Sequence, residues 1–266
     1  MTRAARTHLS RSSEGFVKKV IFNPMFPFDP KVYPFNIPSV LAIPSIDFHP
    51  KVTFMVGENG SGKSTIVEGI AVRAGFSAEG GTKNFNFSTK NSESRLHNHI
   101  EIVRGPYREE MGFFLRAESF YNFATEIDKI DEDVSNKYIN SYGGVSLHEQ
   151  SHGESFMAVI ENRFQPRGLF ILDEPEAALS PQRQIELLRL IHEYAGNQGS
   201  QFIIATHSPI LMAYPHSTIY KLNQDGLQQV EYEKTEHYLV TLDFLENVNM
   251  YRKILFDNRL IDQEPQ

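Results

Sequence analysis

The chain contains no cysteine in 266 residues. That excludes disulfides and thiolate metal sites, and the fold needs no oxidising compartment. Long apolar runs are missing too: the strongest, such as residues 168–172, are of strand length, far short of the ~18 residues of a spanning helix. Any membrane role therefore needs a partner, and a cytoplasmic location fits best. Positive charge is in deficit, with 26 Lys and Arg against 33 Asp and Glu and a net charge of -7. The surface as a whole does not favour counterion-driven binding to nucleic acid, although a local basic patch stays open. Ten histidines are present, but His97/His99 and His148/His152 lack the helical spacing of a zinc pair beside an acidic base and read as surface residues.

A hydrophobic share of 40% supports a proper buried core. Arg3, Arg6 and Arg11, among Ser and Thr without an acid, have the composition of a transit peptide or of a frayed tail; residues 1–15 are read as a flexible tail and 16–266 as one domain. "FVKKVIF" (16–22) reads as a first strand, followed by a proline-punctuated stretch from Pro24 to Pro44 that admits no long helix. "KVTFMVG" (51–57) then gives strand and glycine, and "KSTIVEGIAVRAG" gives a helix with Ile66, Ile70 and Val72 on one stripe. Residues 76–95 read as loop, "HIEIV" and "GFFLR" as strands, and 117–145 as polar and helical. Next come a helix at 153–163, strand "LFIL", a helix at 181–195 and strand "QFIIA" (201–205). Strands alternating with helices imply a mainly parallel sheet covered on both faces. "STIYKL" and "LQQVEYE" around "NQDG" predict a hairpin, and 239–257 an amphipathic helix.

Three stretches carry chemistry. "GENGSGKST" runs Gly57, Glu58, Asn59, Gly60, Ser61, Gly62, Lys63, Ser64, Thr65 between a predicted strand and helix, the setting a phosphate loop requires. Its backbone N–H groups and the helix N-terminus suit an anion; Lys63 is placed to reach β- and γ-phosphates and Ser64 to hold Mg2+. "GLFILDEPEAALS" delivers Asp173 and Glu174 to the carboxyl edge of a parallel sheet, where Asp173 can hold Mg2+ and Glu174 can polarise an attacking water. "THSP" (206–209) puts His207 after another buried strand, within reach of a γ-phosphate.

With "QSHGES" (150–155) between the first two, these stretches stand in the order of the ABC-type ATPases, which the chain resembles over about residues 50–222. Against the family signature LSGGQ, residues 150–154 keep Ser151 and Gly153 and depart at Gln150, His152 and Glu154. Ser151 precedes Asp173 by 22 positions and Glu174 precedes His207 by 33, both similar to family spacing. "LDEPEAALSP" and "FIIATHSPIL" resemble the soluble RecF-like and structural-maintenance-of-chromosomes branch. Only 88 positions separate Lys63 from Ser151, room for a small helical lobe (about 117–163) but for no coiled-coil arm.

The resemblance implies an α/β ABC-type nucleotide-binding fold: a mainly parallel sheet flanked by helices, an antiparallel β subdomain and the helical lobe. It implies ATP and Mg2+ as ligands, Walker A and Walker B sites, Lys63, Glu174 and His207 as catalytic residues, and an ATP-dependent homodimer. In that dimer Ser151, His152, Gly153 and Glu154 would serve the partner copy's nucleotide. No glutamine stands where the family's glutamine loop falls, and Glu118 is the substitute there. Ser180 takes the place of a frequent aspartate. The adenine-stacking aromatic is Tyr33 or Phe35. Arg116 reads as a structural salt bridge, and Glu154 as facing its own backbone or the partner's basic residues. The functions implied are an ATPase driving or gating an unknown protein partner, in DNA maintenance or phage defence, a nucleotide-gated binding module with little turnover, or a transporter's ATPase subunit. A small-molecule kinase would leave the signature and His207 unexplained.

Overall fold

A computed structural model describes residues 14–23, 27–83, 94–132 and 138–256; most of the expected N-terminal tail lies outside the described residues. Along the chain run β1 (Val17–Phe22), α1 (Pro38–Ala42), β2 (Ser45–Asp47), β3 (Val52–Val56), α2 (Lys63–Ala74), β4 (Ile100–Arg104), β5 (Met111–Arg116), α3 (Phe120–Glu132), α4 (His152–Arg163), β6 (Gly168–Asp173), α5 (Pro181–Ile191), β7 (Gln201–Ala205), α6 (Pro209–Met212), β8 (Ser217–Asn223), β9 (Gly226–Val230), α7 (Glu236–Glu246) and α8 (Val248–Phe256).

Six strands form the main sheet in the order β5-β6-β7-β3-β8-β9. All neighbours are parallel except the β8–β9 hairpin at the edge. Because side chains alternate along a strand, each central strand feeds two cores. Val52, Phe54, Phe170, Leu172, Phe202 and Ile204 point to one face, with Phe123, Phe156 and Leu187 of the helices over it. Met55, Leu169, Ile171 and Ile203 point to the other. There they meet Ile66 and Ile70 of α2, and Val20, Ile46 and Ile100 from a three-stranded antiparallel sheet ordered β2-β1-β4. This is the expected α/β architecture: a mainly parallel sheet with an antiparallel subdomain on one face and helices α3 and α4 on the other. "HIEIV" and "GFFLR" are both strands, but they go to different sheets.

Two C-terminal expectations shift. The helix predicted for 181–195 is α-helical only to Ile191 and continues as a π-helical turn from His192 to Asn197. The helix predicted for 239–257 is two helices, broken at Asn247, which leaves helical dihedrals and donates its side-chain amide to the Asp243 carbonyl and carboxylate. Their amphipathic pattern finds no core among the described residues: every residue from Leu239 to Glu246 is exposed, and Leu255 and Phe256 follow suit. His97 and His99, expected at the surface, are half-buried, with His99 edge-on to Phe35.

Candidate functional site

The glycine loop leaves the carboxyl end of β3 and enters α2 at Gly62. Gly62 has φ 93°, and a Cβ there would lie 3.2 Å from Ile37, Ser39 and Val40 side chains. Gly57 has φ 153°, and its Cβ would come within 2.7 Å of the Leu222 carbonyl. Glycine thus lets the loop curl tightly enough for its N–H groups to turn inward. Lys63 is buried, and its ammonium donates to the Gly57 and Glu58 carbonyls at 2.8 and 2.9 Å. Burial lowers its pKa, while Glu174, Asp173 and Glu176 pull it back up. Ser61 Oγ is buried with no hydrogen-bond partner. A cleft of about 350 Å³ runs between loop residues 58–61 and the hairpin at Lys221–Gln224.

The chemistry-bearing side chains gather around a smaller cavity of about 170 Å³, lined by Ser64, Glu118, His152, Asp173 and Glu174. Parallel pairing explains the meeting. β6 and β7 lie side by side, so Asp173 sits opposite Ala205, and the residues just past each strand, Glu174 and His207, project from one sheet edge. Asp173 is 4% exposed, and burial pushes its pKa up to about 6 although Arg116 and the Ser64 hydroxyl pull it down. Arg116 Nε lies 3.3 Å from Asp173 Oδ2, and Arg116 Nη1 donates to Glu68 at 2.7 Å. Asp173 Oδ1 is buried with no hydrogen-bond partner.

An orphaned carboxylate oxygen, a serine hydroxyl and a cavity beside them suit a hard divalent cation, since Mg2+ takes few protein oxygens and keeps the rest of its sphere for water and phosphate. Among the described residues no cluster of three or more His, Asp or Glu could hold a metal by protein ligands alone. That is compatible with a cation shared with a nucleotide.

Glu174 has φ 50° and ψ 51°, left-handed values that a non-glycine residue adopts only under constraint from its surroundings. Its N–H donates to the Ala205 carbonyl at 2.9 Å. Its Oε1 lies 3.4 Å from His207 Nε2, which is buried and otherwise unpartnered. Two residues absent from the sequence reading complete this corner. Glu176 accepts the His207 backbone N–H at 2.5 Å and the Thr206 hydroxyl at 2.8 Å. His237 Nε2 lies 2.9 Å from His207 Nδ1. Glu176 was visible as a third acid after Asp173 and Glu174; nothing in the local sequence pointed from His237 to His207.

The signature turn starts α4. Ser151 caps it, and Glu154 accepts from both the Ser151 N–H at 3.1 Å and the Ser151 hydroxyl at 2.5 Å. Glu154 therefore faces its own backbone, and that bonding lowers its pKa. His152 packs edge-on to Phe120 and lines the Asp173 cavity of its own chain. Gly153 packs close to the Ala178 carbonyl, where a Cβ would lie 3.3 Å away. Of the other candidates, Glu118 is at the cavity with its side chain 87% exposed, and Arg116 is the salt-bridge hub expected of it. Ser180 caps α5 by accepting the Arg183 N–H. Tyr33 is exposed and bonded to the Thr65 hydroxyl at 3.0 Å, whereas Phe35 is buried against Phe28 and His99 and has no free face for a base.

The family model "AAA domain, putative AbiEii toxin, Type IV TA system" matches residues 142–213, from just before the signature turn to just past His207. A "Putative ABC transporter ATP-binding protein" of Methanothermobacter marburgensis is 28% identical over 196 residues, 67% of this chain and 69% of the relative. Among solved structures, the SMC head domain from Thermotoga maritima is similar with 18% identity and a TM-score of 0.42, covering 81% of this chain and 99% of that one. cbiO1 from Clostridium perfringens, part of the ABC transporter complex cbiONQ, has 20% identity and a TM-score of 0.48, covering 89% and 98%. No helix among the described residues is long and apolar enough to cross a membrane.

Proposed function

We propose that this chain works as an ABC-type P-loop ATPase, through a cycle of ATP binding, head-to-tail pairing of two copies, and hydrolysis. The glycine loop holds the triphosphate at the N-terminus of α2, and Lys63 exchanges the loop carbonyls for β- and γ-phosphate oxygens. Ser64 and Asp173 would hold Mg2+, which would supply charge neutralisation on those phosphates. The observation that carries this reading is Asp173 Oδ1, a buried acceptor without a partner, beside Ser64 and one residue from Glu174.

Glu174 takes a proton from water as its oxygen attacks the γ-phosphorus. The bond to the ADP oxygen breaks, leaving ADP and phosphate. His207 Nε2 donates to a γ-phosphate oxygen. Tyr33, exposed and bonded to Thr65 through its hydroxyl, stacks on the base in this reading. The second copy presents Ser151, His152, Gly153 and Glu154 with the N-terminus of its α4 towards the same phosphates, so the pair lasts while ATP is bound. One domain over residues 16–266 does this, with 117–163 as its helical lobe.

The closed pair then drives or gates a protein partner in the cytoplasm. The toxin–antitoxin wording of the matched family model lends weight to defence as the setting, alongside DNA maintenance. The archaeal relative's description favours a second reading, an ATPase subunit that works for a separate membrane component. Lys63→Ala and Glu174→Gln test the core proposal. Lys63→Ala loses nucleotide binding in calorimetry; Glu174→Gln keeps it and loses roughly a hundredfold or more of turnover. Equal loss of binding in both would sink the assignment of roles. Stimulation of turnover by DNA, or by a membrane protein encoded next door, separates the two settings.

A further inference from the structure

His207 has a neighbour at each ring nitrogen. Nδ1 lies 2.9 Å from Nε2 of His237, with ring centroids 5.1 Å apart, and Nε2 lies 3.4 Å from Glu174 Oε1. A 2.9 Å contact between two ring nitrogens needs one proton between them, because two would clash and none would oppose two lone pairs. With both rings neutral, two arrangements remain. If His207 donates from Nδ1, its Nε2 turns a bare lone pair on the Glu174 carboxylate 3.4 Å away. If His237 donates, His207 carries its proton on Nε2 and aims it at Glu174 and the cavity. The charges favour the second arrangement.

The geometry points to His237 as a positioning residue for hydrolysis: it donates Nε2–H to His207 Nδ1 and so fixes the tautomer whose Nε2–H meets the γ-phosphate. This rests on the role proposed above for His207. The chain around His237 is tied to the His207 loop a second time, since Tyr232 donates its hydroxyl to the Pro209 carbonyl at 3.0 Å and packs at a tilt against Tyr238. Thr235, buried, caps α7 just ahead of His237 by accepting the Tyr238 N–H.

Charged groups around the pair support the assignment. Burial, His207 and Lys63 lower the pKa of His237, with Lys221 acting in the same direction and Glu236 opposing. Glu174 and Glu176 face His207 instead. Neutral His207 is the form that depends on His237.

Histidine ¹⁵N NMR of the nucleotide-free full chain, at a pH where both rings are neutral, reads the tautomer without any turnover. The expected result is an unprotonated Nδ1 and protonated Nε2 on His207, lost to a mixture in His237→Leu and restored in His237→Gln, whose amide N–H₂ reaches the same place. Turnover should follow: kcat falls about tenfold or more in His237→Leu with KM for ATP little changed, and recovers in His237→Gln. A wild-type proton on Nδ1, or an unchanged tautomer in His237→Leu, overturns the inference. So does a parallel fall of kcat, KM and Tm in both variants, which would mark a packing role. His207→Ala with undiminished turnover would instead defeat the role of His207, and the tautomer result would stand or fall by itself.

Discussion

At the residue scale the site is organised by burial of charge. Asp173 holds its proton up to about pH 6, above the unfolded value near 3.8, so the folded state binds that proton more tightly. The sign follows: ionised Asp173 costs the ligand-free fold some stability, and this cost appears as pH rises between those two values. A cation that takes up the free Oδ1 removes it. Mg-ATP should therefore raise Tm more at about pH 7.5 than at about pH 5.5, and Asp173→Asn should flatten that difference in a thermal scan with and without Mg2+. Arg116 acts against the same burial. Arg116→Leu leaves Asp173 and Glu68 without their shared cation, and should both destabilise the fold and, by letting the Asp173 pKa rise further, move the pH dependence of Mg-ATP binding to higher pH, read by calorimetry.

At the element scale, three short devices set where the helices start. Gly62 opens α2 through a left-handed turn, Ser151 and Glu154 close the first turn of α4, and Ser180 caps α5. Ser180→Ala should cost about 1 kcal/mol in urea unfolding without changing nucleotide affinity, because its hydroxyl only accepts the Arg183 N–H. Had Ser180 stood in for the missing aspartate in the chemistry, affinity or turnover would change as well. These starts were legible in the sequence because caps and glycines act within a few residues. The parallel strands were legible for a similar reason: a strand buried on both faces, such as residues 52–56, has to be apolar nearly throughout. Pairings between distant segments were not. Nothing near position 237 records that β7 ends opposite it, and nothing near Asn247 shows that the last helix breaks, since its apolar pattern continues on both sides. Phe35 and Tyr33 looked equivalent in sequence; packing of Phe28 and His99 against one of them separates the two.

At the scale of the whole molecule, the proposed pairing of copies makes a demand on the signature turn. In the single chain the Ser151 hydroxyl is already spent on Glu154, so pairing has to trade that bond for one to phosphate. Light scattering of Glu174→Gln with Mg-ATP should report a dimer, and the same protein carrying Ser151→Arg should remain a monomer; monomers in both would defeat the pairing. The C-terminal helices bear on the molecule in another way. Among the described residues, α7 meets the body only at its first turn, where His237 sits, and from Leu239 to Glu246 it is exposed. Eleven residues at ~1.5 Å each make an arm of about 16 Å. A tilt of roughly 10° about that turn would swing its far end by about 3 Å. A histidine that shifts by a fraction of an ångström on losing a phosphate would thus act as the short end of a lever, with its long end already in solvent.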